Sequence, residues 1–242
     1  MSPVAYYGLL IGLGVIPSLA WLVYYYHKDC HPEPTYLITK TFLMGIILSP
    51  LAIILQLLFA DLLKNHAPSL AARGSIFFLW AAFVEELVKY YAVREIALRD
   101  PQFDEPVDAM VYMISAGLGF AAMENILVMF QVLPDGAQAT LSIWALRFTG
   151  ATLLHALSSA LVGYFLALSW FYWHHAKKLI VLGIAVATLF HFTFNILISQ
   201  FKNQLTSLGY TTLLLLMMAF LVAVLFDKIR ERNIQSASLA KS

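Results

Sequence analysis

Seven stretches of this chain, at about residues 4–26, 36–60, 75–98, 107–133, 148–172, 179–201 and 208–226, are each about 20 or more residues long and mostly apolar. At about 1.5 Å of rise per helical residue, each is long enough to cross roughly 30 Å of hydrocarbon. The pattern predicts an all-α, polytopic transmembrane helix bundle of about seven spans. Composition agrees: 61% of residues are hydrophobic and 12% charged, against about a quarter charged in soluble domains. The first run is too long for a signal-peptide core and lacks a basic leader or a cleavage site, so it is read as a retained span.

No stretch has the composition of a separate soluble domain, so residues 1–242 are read as one membrane-embedded domain, with a polar, frayed tail at 227–242. Breakers mark the connections: Pro32 and Pro34, Pro68 with Gly74, Asp100-Pro101, Glu105-Pro106 and Pro134-Asp135-Gly136. Residues 137–147 read as an interfacial lead-in to the fifth span. The net charge of +1 gives no reason to expect nucleic acid, and a lone cysteine, Cys30, excludes an intramolecular disulfide.

Basic residues set the expected orientation. With the amino terminus outside, the inner loops and tail hold nine: Lys28, Arg94, Arg99, Lys177, Lys178, Lys228, Arg230, Arg232 and Lys241. The outer loops hold three, Lys64, Arg73 and Lys202. The excess of positive charge on cytoplasmic loops therefore places the carboxyl terminus inside.

Polar residues interrupt the apolar runs in four places: Glu85-Glu86 with Lys89, Phe120 with Glu124, His155 with Ser159, and His191 with Asn195. An ionisable group at bilayer depth costs roughly 2.5–3.5 kcal/mol on insertion scales, so such a set points to a shared use. Counted from the outer end of each span, Glu86 lies about 16 Å deep, Glu124 about 12 Å, His155 about 10 Å and His191 about 13 Å. Neighbouring helices run in opposite directions, so this common depth is not automatic. It predicts one site in the outer half, enclosed by a water-accessible cavity.

Residues four apart share a helix face, so each pair presents two groups toward one point. Around Lys89, Glu85 sits about 40° to one side and Glu86 about 60° to the other. Two carboxylates against one ammonium favour a shared proton, the condition of a general base working near neutral pH. Glu124, His155 and His191 make a ligand set suited to a divalent metal, zinc first, with a fourth position left for water. Glu85 or Glu86 would then take a proton from that water. Asn195 could donate to an oxyanion, and Ser159 could hold a carboxylate or histidine in place. The reaction class is hydrolysis of a polarised carbonyl.

The ordered set E-E-x-x-K, F-x-x-x-E, H-x-x-x-S and H-x-x-x-N across residues 85–195 resembles the PrsW family of intramembrane proteases, part of a wider group with the CAAX prenyl endopeptidases and bacteriocin-processing membrane proteins. Each motif alone is weak, whereas their conjunction on four successive spans is specific. The motif-bearing core covers about residues 75–201. The resemblance implies that Glu85 and Glu86 are catalytic carboxylates, that Glu124, His155 and His191 are further active-site groups, and that Asn195 orients a ligand or an oxyanion. It also implies a single-span membrane protein as substrate, an anti-sigma factor among the candidates, cut first on the outer side of a prokaryotic plasma membrane. Glu124 stands where the CAAX branch has histidine, which separates this chain from prenyl-protein processing. Asn195 stands where some members have aspartate, so this position is neutral. A metal-dependent mechanism is favoured over a metal-free glutamate type.

A proton- or cation-coupled transporter is the rival, because buried carboxylates, a lysine and histidines also build a proton relay. Against it, the motif spans show no inverted repeat and no central Gly or Pro break. His27, His31, His174 and His175 fall at predicted inner loops and read as interfacial. Gly117 and Gly119 read as points of close helix approach.

Overall fold

The computed structural model describes residues 3–27, 32–71, 74–200 and 204–239. Lys28, Cys30, His31, Arg73, Phe201, Lys202 and Lys241, which entered the argument above, lie outside them. Among the described residues every regular element is a helix: α1 (Pro3–Tyr26), α2 (Thr35–His66), the single turn α3 (Pro68–Ala71), α4 (Ser75–Ile96), α5 (Asp108–Val132), α6 (Ala137–Thr149), α7 (Ala151–Phe171), α8 (Ala176–Gln200) and α9 (Gln204–Leu239).

Six segments, among the described residues, are long and apolar enough to cross a membrane: α1, α2, α5, the α6–α7 pair, α8 and α9. The remaining expected span corresponds to α4, which at 22 residues is about 33 Å long. Its inner side buries Glu85, Glu86 and Lys89, while Leu79, Phe83, Leu87 and Tyr91 form an exposed strip at every fourth residue. A helix that turns its charges inward and an apolar strip outward can sit against lipid. The protein is a multi-pass membrane protein.

α5 is buried all round from Asp108 to Ala122, which explains why its sequence is apolar without a preferred side. It packs against α1, α2 and α7; α7 packs on α8, α8 on α4, and α4 back on α2. Helices α2, α4, α8, α7 and α5 thus close a ring, with α1, α6 and α9 outside it. Two glycines let α5 sit so centrally. A Cβ on Gly117 would run into Ser159 Oγ and the His155 carbonyl on α7, and one on Gly119 would run into the Phe42 carbonyl on α2. Both are points where membrane helices approach closely because one carries no side chain.

Two segments differ from expectation. Residues 137–149 form a helix of their own that ends at Gly150 rather than a lead-in, and its indole Trp144 Nε1 donates to the Leu13 carbonyl of α1 at 2.8 Å. The polar tail continues α9 as far as Leu239, because nothing in it breaks a helix: it contains neither Gly nor Pro.

Candidate active site

The ring interior gathers the polar residues from four helices. From α4, Lys89 Nζ donates to Glu86 Oε1 at 2.7 Å and to His155 Nδ1 on α7 at 2.8 Å. From α8, His191 Nδ1 lies 2.9 Å from Glu86 Oε1 and Nε2 lies 3.5 Å from Glu85 Oε2. From α5, Glu124 Oε2 lies 3.0 Å from His155 Nε2. The two imidazoles meet edge to face with ring centroids 5.2 Å apart. Phe120 packs beside His155, its ring 5.0 Å from Lys89 Nζ and 5.7 Å from the His155 ring.

These contacts fix the tautomers. An ammonium only donates, so His155 Nδ1 accepts from Lys89 and the ring proton sits on Nε2, donated to Glu124. A carboxylate only accepts, so His191 Nδ1 carries its proton toward Glu86. That leaves the His191 Nε2 lone pair facing Glu85 Oε2.

Glu85 completes the arrangement. Gln56 Nε2 of α2 donates to its Oε1 at 3.0 Å, while its Oε2 is buried and has no hydrogen-bond partner among the described residues. That oxygen lies 3.5 Å from His191 Nε2 and 4.0 Å from His155 Nδ1. Acceptors that face one another out of water need positive charge between them. Among the described residues, Glu85, His155 and His191 form the one group whose ligand atoms all lie within 4.8 Å of each other. Two imidazoles and a carboxylate are a donor set that zinc accepts, so the residues present fit a divalent ion.

This set differs from the sequence expectation at one ligand. Glu124, expected beside the histidines as a ligand, instead binds the far ring nitrogen of His155 and is held by Arg147 Nη2 at 3.1 Å. Glu85 stands in the group that could hold an ion because the rotation of α4 aims it at His191, a matter of helix orientation rather than spacing. Ser159 also differs. Its hydroxyl is buried against Gly117 with no hydrogen-bond partner among the described residues, and neighbouring Ser158 donates to Glu86 Oε1 at 2.9 Å. Both serines are within one turn of His155, and the tilt of α7 chooses between them. Asn195 lies one turn from His191, half-buried.

Further contributors were passed over in the sequence. Gln56 is an amide inside a span, and that was its only signal. Arg147 reaches from α6 to Glu124 and, through Nε, to Asn125 Oδ1 at 2.6 Å; Asn125 in turn donates to Thr152 Oγ1 at 2.9 Å. The cluster is more closed than the expected wet cavity. Glu86 and Lys89 are 0% exposed, and the accessible edge is the Glu124–Arg147 pair, at 26% and 19% of their side chains. Arg147 also lines a cavity of about 500 Å³ shared with Gly150, Phe194 and Thr211.

Comparison with known proteins bears on this assembly. The Protease PrsW of Geobacillus kaustophilus is 34% identical over 157 residues, 64% of each chain. The namesakes from Oceanobacillus iheyensis and Bacillus subtilis are 29% and 28% identical over 197 and 198 residues, covering 80% of this chain and 85% and 84% of theirs. The chain thus spans just under two thirds of the first relative and more than four fifths of the other two. No solved structure matches it. A family described as PrsW family intramembrane metalloprotease matches residues 33–225, from just before α2 to near the middle of α9. With that match enclosing every residue of the buried cluster, the chain belongs to the PrsW family.

Proposed function

We propose that the protein is a metal-dependent intramembrane endopeptidase that hydrolyses a peptide bond of a single-span membrane protein near the outer leaflet of a bacterial plasma membrane. The observation that carries this reading is Glu85 Oε2, a buried carboxylate oxygen without a hydrogen bond among the described residues, facing two imidazoles from two other helices. Family membership supports protease over transporter.

Glu85, His155 and His191 would hold the ion. A divalent ion there, zinc first, would supply Lewis acidity toward a carbonyl and toward water. The chain's own residues do the rest. Glu86 Oε1 accepts from Lys89, Ser158 and His191, which holds the His191 ring in one tautomer and orientation. Glu86 Oε2 has no hydrogen-bond partner among the described residues and is the oxygen we assign as general base, taking the proton of the attacking water and returning it to the leaving amine. Glu124 sets the tautomer of His155, and Gln56 anchors Glu85 from α2. Asn195, on α8 below His191, is assigned to the oxyanion.

By kinship, an anti-sigma factor cut first on its outer side is the leading substrate, which would make this a step of regulated proteolysis. The excess of basic residues places the amino terminus outside and the carboxyl terminus inside; a reporter fused after Ser242 should work only in the cytoplasm. The main test compares the membrane proteomes of deletion cells carrying the wild-type protein or Glu86→Gln. A single-span protein should accumulate uncut in the variant, and its cleavage by the purified enzyme should stop with a chelator and return with zinc. Normal cleavage by Glu86→Gln or His191→Ala would overturn the reading.

A further inference from the structure

Lys89 is wholly buried, and its ammonium lies between two residues of the cluster, Glu86 Oε1 at 2.7 Å and His155 Nδ1 at 2.8 Å. The second contact is unusual for a lysine, because its partner is a neutral ring nitrogen with one lone pair. That lone pair is spent on the ammonium. The other ring nitrogen carries the proton and donates it to Glu124 at 3.0 Å. His155 therefore has nothing left to offer an ion.

His191 is in the opposite condition. Its Nδ1 is engaged with Glu86, while Nε2 points at Glu85 Oε2, which no hydrogen bond among the described residues satisfies. Of the three donors in the Glu85–His155–His191 group, two are open and the third is held by Lys89. The held nitrogen is also the His155 atom that lies 4.0 Å from Glu85 Oε2. Using the far nitrogen instead would break the contact to Glu124, which Arg147 holds in place.

Building on the metal-dependent reading above, we propose that Lys89 competes with the ion for Nδ1 of His155: ion binding requires the ammonium to leave that nitrogen, while its contact with Glu86 persists. Lys89 then has two tasks. It neutralises Glu86 in both states, and it supplies positive charge to the cluster when no ion does, so that two carboxylates and two imidazoles stay packed together out of water. Ion affinity is lowered by the hydrogen bond that has to be given up, which makes Lys89 a positioning residue that tunes loading.

The test uses cobalt(II), whose visible absorption reports ligation, titrated into the purified full-length protein in detergent. Removing Lys89 alone would also leave an extra negative charge, so the decisive variant is Glu86→Gln/Lys89→Met. It keeps the net charge of the cluster, and its glutamine carbonyl still accepts from His191. Competition predicts cobalt binding tighter than wild type by about tenfold or more, the worth of one charge-assisted hydrogen bond; equal or weaker binding overturns the proposal. A second measurement needs no variant. In wild-type protein labelled with nitrogen-15 at histidine, zinc should shift Nδ1 of His155 and leave its Nε2 protonated, and loss of the Nε2 proton would overturn it. Absence of cobalt binding in both proteins would overturn this proposal and the metal requirement together, while loss of cleavage in Glu86→Gln would still stand for a protease of the glutamate type.

Discussion

Buried carboxylates occur in two regions of this molecule, and they are satisfied in different ways. Near the start of α5, Asp108 Oδ2 accepts the backbone N–H groups of Asp104 and Glu105 at 3.0 and 2.8 Å, and Tyr112 donates its hydroxyl to Glu33. These contacts tie the α1–α2 and α4–α5 connections to the core. In the ring interior, Glu85, Glu86 and Glu124 are met by an amide, an ammonium, a hydroxyl, a guanidinium and two imidazoles from α2, α4, α6, α7 and α8. Among the described residues no backbone N–H takes part there.

The difference follows from depth along a helix. Connections and first turns have backbone N–H groups to spare, and a carboxylate placed there can find donors locally, as Asp108 does. In mid-span every N–H is already bonded four residues back, so a carboxylate can be met only by side chains, here Lys89 one turn along the same helix and the rest brought from other helices. The first arrangement staples loops. The second builds a site, because the groups it assembles are basic, titratable and mutually dependent.

The largest effect should separate the regions outright. Glu86→Ala strips the partner from a buried lysine, a serine and an imidazole; it should lower cleavage by roughly three orders of magnitude and cost roughly 3–5 kcal/mol of stability. Asp108→Asn should leave cleavage within about threefold and lower only the thermal midpoint. If Asp108→Asn instead abolished cleavage in a fully folded protein, the two regions would not be distinct. A somewhat smaller loss is expected of Gly117→Leu, whose side chain would press on Ser159 and on the backbone of His155. Overpacking of this kind costs about 1–3 kcal/mol, and displacement of His155 should slow cleavage about a hundredfold. Retained activity in that variant would show that α7 can shift without moving the imidazole.

Smaller again is the contrast between adjacent serines. Ser158→Ala removes a hydrogen bond to a buried carboxylate and should slow turnover about tenfold or more, whereas Ser159→Ala should stay within about twofold. Equal effects would mean that the tilt of α7 differs in the working enzyme. Least of all, Tyr112→Phe should cost about 1 kcal/mol in chemical unfolding and leave the cleavage rate alone, sharpening the view that the region at the start of α5 is structural.

Much of the candidate site was legible from the cost of charge in lipid. Glu85, Glu86, Lys89, Glu124, His155 and His191 each stand inside an apolar run, and no side chain of that kind faces hydrocarbon without penalty. Gly117 and Gly119 were legible for the complementary reason, as gaps that let helices meet. Gln56 and Arg147 were not, since an isolated amide or a cation near a span end carries little signal when its partner lies 29 or 23 positions away.

Apolar run length alone determined that the chain is an all-α membrane bundle of about seven spans, because backbone polar groups in hydrocarbon have to be satisfied within the helix. Placement of the polar islands determined which side chains turn inward. Helix rotation and tilt, which no spacing records, decided the rest: that Glu85 rather than Glu124 faces both imidazoles, that Ser158 rather than Ser159 holds Glu86, and that Lys89 rests on a nitrogen of His155. These choices turn on differences of an ångström or two and a fraction of a helical turn. Only the packing of α2, α4, α5, α7 and α8 around one another sets them.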